Sequence, residues 1–279
     1  MIKKLYHFYR AVLKNWKISK TATFGYKRKM EIFNILNVLY FKSLFYNDSK
    51  EVFQHIFGFK VSANSYSILS FLFKEIFISK DYFFETSKSN PLIIDCGANI
   101  GMSVLYFKSL YPDCSIIAFE PNPEAFLLLK KNVERNNLKN VELYNLALSD
   151  NSGEINFFVG DKENILLAST NTERGGAKTF KIKSDQLSRY INTEVDLIKI
   201  DIEGSEIQVL NDLVMSGKIK NAQNYIIEYH HRINTEKSSL SSFIKPFEEA
   251  DFEYNIKATF GKIGVFQDIL LNCYKRDSL

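Results

Sequence analysis

The chain has 279 residues, 46% of them hydrophobic, and a formal net charge of +4. That leaves room for one large globular α/β domain with an appendage. No run approaches the ~18 uncharged apolar residues of a transmembrane helix, and three scattered cysteines (Cys96, Cys114, Cys273) lack metal-ligand spacing, so they read as small core residues of a reducing compartment.

The charge is unevenly spread. Residues 1–90 carry 15 Lys/Arg against 6 Asp/Glu, whereas residues 91–279 carry 21 against 26. The first 30 residues hold nine basic side chains and no acid. A membrane surface, an anionic glycan or nucleic acid could each attract such a segment. Aromatics lie among the charges (Tyr6, Phe8, Tyr9, Trp16), which suits interfacial packing and packing on the protein's own body equally. The opening MIKKLYHFYR lacks the apolar core of a signal peptide. The expectation is a cytoplasmic protein that could touch the inner face of a membrane through this basic segment, with no nucleic-acid partner.

In chain order, Glu31–Phe45 has apolar residues at Ile32, Ile35, Leu36 and Leu39, a spacing near 3.6 that predicts a helix. Phe57–Val61 reads as a turn or short strand, and Ser67–Phe77 as another helix. Residues 1–90 therefore form a helical, basic extension without a catalytic motif. From Pro91 the rhythm becomes strand, turn, helix. Leu92–Asp95 is a strand, Gly101–Leu110 a helix ended by Tyr111-Pro112, and Ser115–Glu120 a second strand. Pro123–Asn136 is a helix with Leu127, Leu128 and Val133 inward, followed by a strand over Val141–Leu148. Gly153–Val159 suits a further strand or hairpin, and the polar, Gly-containing Asn164–Thr179 a mobile loop. Val195–Asp201 is a central strand, Ser205–Ser216 a helix, Tyr225–His230 a strand and Ser238–Ala250 a helix. Phe252–Ile256 and Asp268–Tyr274 close the chain as an antiparallel hairpin turning around Gly261 and Gly264. This alternation predicts a mostly parallel α/β sheet with helices on both faces and an antiparallel edge, over residues 91–279.

Ligands bind such sheets outside the carboxyl ends of the strands. Asp95-Cys96-Gly97-Ala98-Asn99-Ile100-Gly101 stands there: Gly97 and Gly101 permit a tight turn and close approach, and Asp95 offers an acceptor at the crevice mouth. Asn99 occupies the place of the second glycine of a dinucleotide fingerprint, which counts against nicotinamide. Glu120, 25 residues after Asp95, ends the next strand and could accept both ribose hydroxyls of an adenosine. In Val195–Glu206 (VDLIKIDIEGSE), alternation puts Lys199, Asp201 and Glu203 on one side. Charges ending an apolar strand must be paired or face a cleft; Lys199 and Glu203 are expected to pair with neighbours, and Asp201 to face the reacting centre. Glu228 and His230 share a strand face, and His230 is a candidate general base. Asp201, Glu203, Glu228 and His230 could converge on a divalent cation, but the reading commits to no metal.

Together these segments resemble the FkbM family of S-adenosylmethionine-dependent methyltransferases. The resemblance rests on IIDCGANIGMSVLYF, IIAFEPNPEAF, LYNLALSDNSGEINFF and above all VDLIKIDIEGSEIQVL, covering roughly residues 90–230. It implies a Rossmann-like methyltransferase sheet, S-adenosylmethionine as donor, and O-methylation of a sugar, glycan or related secondary-metabolite hydroxyl. By motif match Asp95, Gly97 and Gly101 lie by the methionine moiety and Glu120 by the ribose, and Asn99 is expected to contact the cofactor as well. The Asn145–Asp150 turn runs near the adenine, and Asp201 sits by the transferable methyl. Asp201 is then the first candidate base and His230 the second. The acceptor site is expected from residues 1–90 and the Asn164–Thr179 loop. Two rival readings are a nicotinamide-dependent oxidoreductase, which leaves the Lys199–Glu206 run unexplained, and a non-catalytic Rossmann-like binding module.

Overall fold

The computed structural model describes residues 2–22, 24–45, 51–159, 178–231, 240–258 and 267–276. They divide into two compact units, Met1–Asp81 with Glu134–Asn136, and Tyr82–Val133 with Asn137–Leu279. Among the described residues no helix is long and apolar enough to cross a membrane.

In the first unit, α1 (Ile2–Thr21) and α2 (Tyr26–Phe45) run antiparallel. Asn15 Nδ2 donates to Asn37 Oδ1 at 3.0 Å, and Lys29 Nζ donates to the Lys20 carbonyl at 2.8 Å. α2 buries Ile32, Ile35, Leu36 and Leu39, the stripe its spacing predicts. Strands β1 (Val52–Ile56) and β2 (Phe59–Ala63) form a hairpin whose two loop residues, Phe57 and Gly58, both have positive φ. Such a turn matches the right-handed twist of the paired strands. α3 (Tyr66–Leu72) starts where Ser65 Oγ accepts from the Ile68 N–H at 3.1 Å, and it runs on into a π-helical segment, Phe73–Ile78.

The second unit is built on strand, helix, strand repeats. Its elements are β3 (Leu92–Cys96), α4 (Met102–Leu110), β4 (Ser115–Phe119), α5 (Pro123–Arg135) and β5 (Val141–Tyr144). Then come β6 (Ala147–Ser149), β7 (Gly153–Val159), β8 (Lys178–Gln186) and β9 (Val195–Ile200). α6 (Glu206–Met215), β10 (Ala222–His231), α7 (Leu240–Glu249), β11 (Glu253–Ala258) and β12 (Gln267–Tyr274) complete it. Seven strands form one sheet in the order β11-β12-β10-β9-β3-β4-β5. The five from β10 to β5 are parallel, whereas β12 runs antiparallel to both β10 and β11. The expected antiparallel edge is this β11–β12 pair. From β3 the chain winds outward to β4 and β5, then jumps back to β9 and winds the other way to β10. Right-handed crossovers therefore put α4 and α5 on one face and α6 on the other. This is the doubly wound, Rossmann-like α/β architecture. All six residues of β9 are buried, as its near-continuous apolar run requires of a central parallel strand.

Several expectations change. The strand predicted over Val141–Leu148 breaks at Asn145-Leu146: β5 joins the large sheet, and β6 joins a small sheet of order β6-β8-β7 over Ala147, Phe157 and Ile182. Asn145 helps part them by donating from Nδ2 to the carbonyls of Glu120 at 2.8 Å and Pro121 at 3.2 Å. Leu127, expected inward, is 66% exposed. The buried stripe of α5 is Ala125, Leu128, Leu129, Asn132 and Val133, and Leu127 falls outside it. The Asn164–Thr179 loop lies outside the described residues but for Lys178 and Thr179, which belong to β8, and so does the turn at Gly261 and Gly264.

Gly97 and Gly101 both have positive φ, +86° and +88°. Their missing side chains make room for the protein itself rather than for a ligand. A Cβ on Gly97 would stand 1.8 Å from the Asp201 carbonyl oxygen, whereas one on Gly101 would meet Leu129 Cδ1 at 2.7 Å. A leucine tip can rotate aside; the backbone leaving β9 cannot. Gly101→Ala is therefore expected to cost about 1–2 kcal/mol for the left-handed backbone, and Gly97→Ala clearly more. Urea denaturation of the two variants checks the order; equal losses would contradict it.

Candidate active site

The carboxyl ends of five adjacent parallel strands carry the residues singled out in the sequence. Asn145 follows β5, Glu120 follows β4, the Asp95–Gly101 segment closes β3, Asp201 follows β9, and His230 lies near the end of β10. The winding direction reverses between β3 and β9, the switch point at which open α/β sheets form their crevice.

At that point Asp95 and Lys199 are direct neighbours in the β3–β9 register. Lys199 Nζ lies 3.1 Å from Asp95 Oδ1 and 3.6 Å from Asp201 Oδ2, and donates to the Gly97 carbonyl at 2.6 Å. Ser103 Oγ donates to the second Asp95 oxygen at 2.5 Å. Lys199 and Asp95 are both buried, at 1% and 0% exposure. Burial alone would lower the Lys199 pKa, but the Asp95 and Asp201 charges outweigh it and raise it, so the ammonium persists. Asp95 was expected at the crevice mouth. It is instead fully buried, paired with its strand neighbour Lys199 and hydrogen-bonded by Ser103.

Glu120 is held by backbone. Asn99 N–H donates to Oε2 and Asn122 N–H to Oε1, both at 2.8 Å. Burial pushes its pKa up to about 7, against the opposing pull of those two N–H groups and of Lys199. Asn99 adopts φ 49°, a left-handed conformation that Asn tolerates, and its Oδ1 accepts from the Ile100 N–H at 2.8 Å. Asn122 also caps α5, its Oδ1 accepting from the Glu124 N–H at 3.0 Å. Glu120, Asn99 and Asn145 are thus brought together by shared backbone contacts at the ends of β3, β4 and β5.

On the β9 side, Asp201 Oδ2 accepts from the Tyr82 hydroxyl at 2.9 Å. Lys199 Nζ sits 5.0 Å over the Tyr82 ring. The alternation predicted through Glu203 stops at β9's end, since Glu203 has φ 56°. The turn brings Glu203 to His230, as expected of a paired acid: Glu203 Oε2 is 3.3 Å from His230 Nε2. His230 Nδ1 is 2.7 Å from Glu206 Oε1, which also accepts from the Gly204 N–H at 2.9 Å. Burial would lower the His230 pKa, but Glu206 first, then Glu203 and Asp201, push it up to about 10. An imidazolium has no lone pair to accept a proton. That charge state disfavours His230 as the second general base, and its Nδ1 contact with Glu206 ties the Glu203–Glu206 segment to β10. Asp201, Glu203 and His230 have potential ligand atoms within 4.8 Å of one another, as do Glu228, His230 and Asp268, and either set would need His230 deprotonated to hold a cation.

Three contributors were missed in the sequence. Tyr82 lies in a stretch with no motif. Ser103 is one residue in the first turn of α4, and Glu206 becomes meaningful only once β10 is placed beside β9.

Residues 95–254 match the family described as the Methyltransferase FkbM domain. Methyltransferase 1 of Beauveria bassiana is 32% identical over 180 residues, covering 56% of this chain and 72% of that protein. Hexuronic acid methyltransferase AglP of Haloferax volcanii is 29% identical over 151 residues, covering 52% of this chain and 59% of its own. 2-O-methyltransferase NoeI of Sinorhizobium fredii is 27% identical over 149 residues, covering 47% and 59%. The matched segment contains every site residue named above except Tyr82 and Asp268.

Removing one partner of a buried ion pair strands the other charge, at a cost of about 3–5 kcal/mol. Lys199→Met should lose that much in urea denaturation, and Asp95→Asn combined with Lys199→Met should lose less than the two single variants together. A Lys199→Met protein as stable as the parent would contradict the pairing.

Proposed function

This chain belongs to the FkbM family of methyltransferases, and we propose that it moves a methyl group from S-adenosylmethionine to a hydroxyl of a sugar, glycan or related secondary metabolite. The observation that carries this reading is the pair of carboxylates, Glu120 and Asp201, standing on either side of the β3 turn at the switch point. AglP, named for a hexuronic acid, and NoeI, named for 2-O-methylation, support a sugar hydroxyl as acceptor.

The residues suit that donor. An ionised Glu120 uses one lone pair of each oxygen on backbone N–H groups and keeps others for two ribose hydroxyls. Asn145, bonded to the Glu120 carbonyl, borders the adenine end, and the turn from Gly97 through Asn99 to Gly101 borders the methionine end. Asp95 contributes through Lys199, not by touching the donor. When bound, S-adenosylmethionine supplies a methyl already activated by its sulfonium.

The protein's task is then mainly to position reactants and to receive a proton. Asp201 takes the acceptor hydroxyl's proton as the new O–C bond forms. Tyr82 and Lys199 hold its carboxylate in place, and a fifth of its side chain, 21%, remains exposed. His230, through Glu203 and Glu206, keeps the segment after Asp201 from shifting.

Methyl transfer to candidate uronic acid and other glycan acceptors tests the reading. Asp201→Asn should lower kcat by about 10²–10⁴-fold with donor affinity nearly unchanged. Glu120→Gln should mainly weaken donor binding. Glu120 is ionised above its raised pKa of about 7, so donor affinity in the parent is present above that pH and falls below it; the dependence should vanish in Glu120→Gln. Undiminished turnover by Asp201→Asn would remove it as the base.

A further inference from the structure

α1 presents a stripe of large apolar side chains to solvent. From Tyr9 to its end its fully buried residues are Asn15 and Ser19, both polar, followed by Ala22 just after it. Val12 and Ile18 are half-buried, whereas three large apolar side chains are exposed: Tyr9 at 62%, Leu13 at 45% and Trp16 at 37%. Spaced at i, i+4 and i+7, these three form one stripe along the helix. Arg10, Lys14 and Lys17, all exposed, repeat the same spacing one residue on and make a basic stripe beside it. Lys20 closes the pattern, its Nζ 4.9 Å over the Trp16 ring. The helix reaches α2 by the Asn15–Asn37 hydrogen bond and by the edge of Trp16 on Phe33, with centroids 5.3 Å apart.

The surrounding charge has one sign. Residues 1–81 carry 14 Lys/Arg against 5 Asp/Glu, with no acid before Glu31. A soluble polyanion would use the basic stripe and leave the aromatic one in water. A neutral apolar partner would use the aromatic stripe and bury lysines beside it. An anionic bilayer uses both at once: rings and Leu13 enter the headgroup boundary, while long basic side chains extend to the phosphates.

We propose that this face of α1 docks on an anionic lipid bilayer. Trp16 is the chain's only tryptophan, so its emission reports on this face alone. The full chain is mixed with vesicles of phosphatidylcholine, with or without phosphatidylglycerol, and followed by tryptophan emission and co-sedimentation. The expected result is a blue shift and co-sedimentation with the anionic vesicles, reversed by high salt, and little of either with neutral ones. Lys14→Ser with Lys17→Ser, and separately Tyr9→Ser with Leu13→Ser, should each weaken binding roughly tenfold or more, with circular dichroism confirming that the helices persist. No shift with anionic vesicles, equal binding to neutral vesicles, or a shift with heparin alone would each overturn the proposal.

Discussion

Lys199 holds a positive charge where water scarcely reaches, at 1% exposure between β3 and β9. A buried ammonium is tolerable only when its surroundings repay the lost hydration. Here Asp95, the Gly97 carbonyl and Asp201 do so, and in doing so they fix three points around the switch point. The Gly97 carbonyl and the Asp201 carboxylate both face that charge, and the Asp201 carbonyl closes against Gly97. The ion pair is a poor source of stability compared with well-packed apolar side chains. Its value lies in the geometry it enforces at the ends of two adjacent strands.

Around this centre, four charged groups take different characters from their environments. Asp95 is a structural counter-ion. Glu120, among backbone donors but deeply buried, titrates near neutrality. Asp201 keeps part of its carboxylate exposed beside Tyr82. His230 is surrounded by acids and stays protonated. The proposed division between a donor-holding carboxylate and a proton-accepting one rests on these surroundings rather than on the residue types.

Much of this was legible because it is periodic. A buried parallel strand is a continuous apolar run, and β3, β4 and β9 were readable as such, along with their terminal acids. What escaped depends on who lies beside whom. Asp95 is displaced from the crevice mouth by a strand neighbour 104 residues later, Lys199. His230 acquires its charge from Glu206, 24 residues earlier in sequence. Leu127 sits at the margin of the α5 stripe, where periodicity alone does not decide exposure. The first unit shows the opposite limit: α2 buries the stripe its spacing predicts, whereas α1 exposes its own.

The proposed donor site is the crevice between β3, β4 and β9. Isothermal titration of the full chain with S-adenosylmethionine, alongside reduced nicotinamide dinucleotide, tests it most directly. Saturable one-to-one binding of the methyl donor is expected, with none of the dinucleotide. Binding of the dinucleotide in its place, or no heat from either, would contradict it.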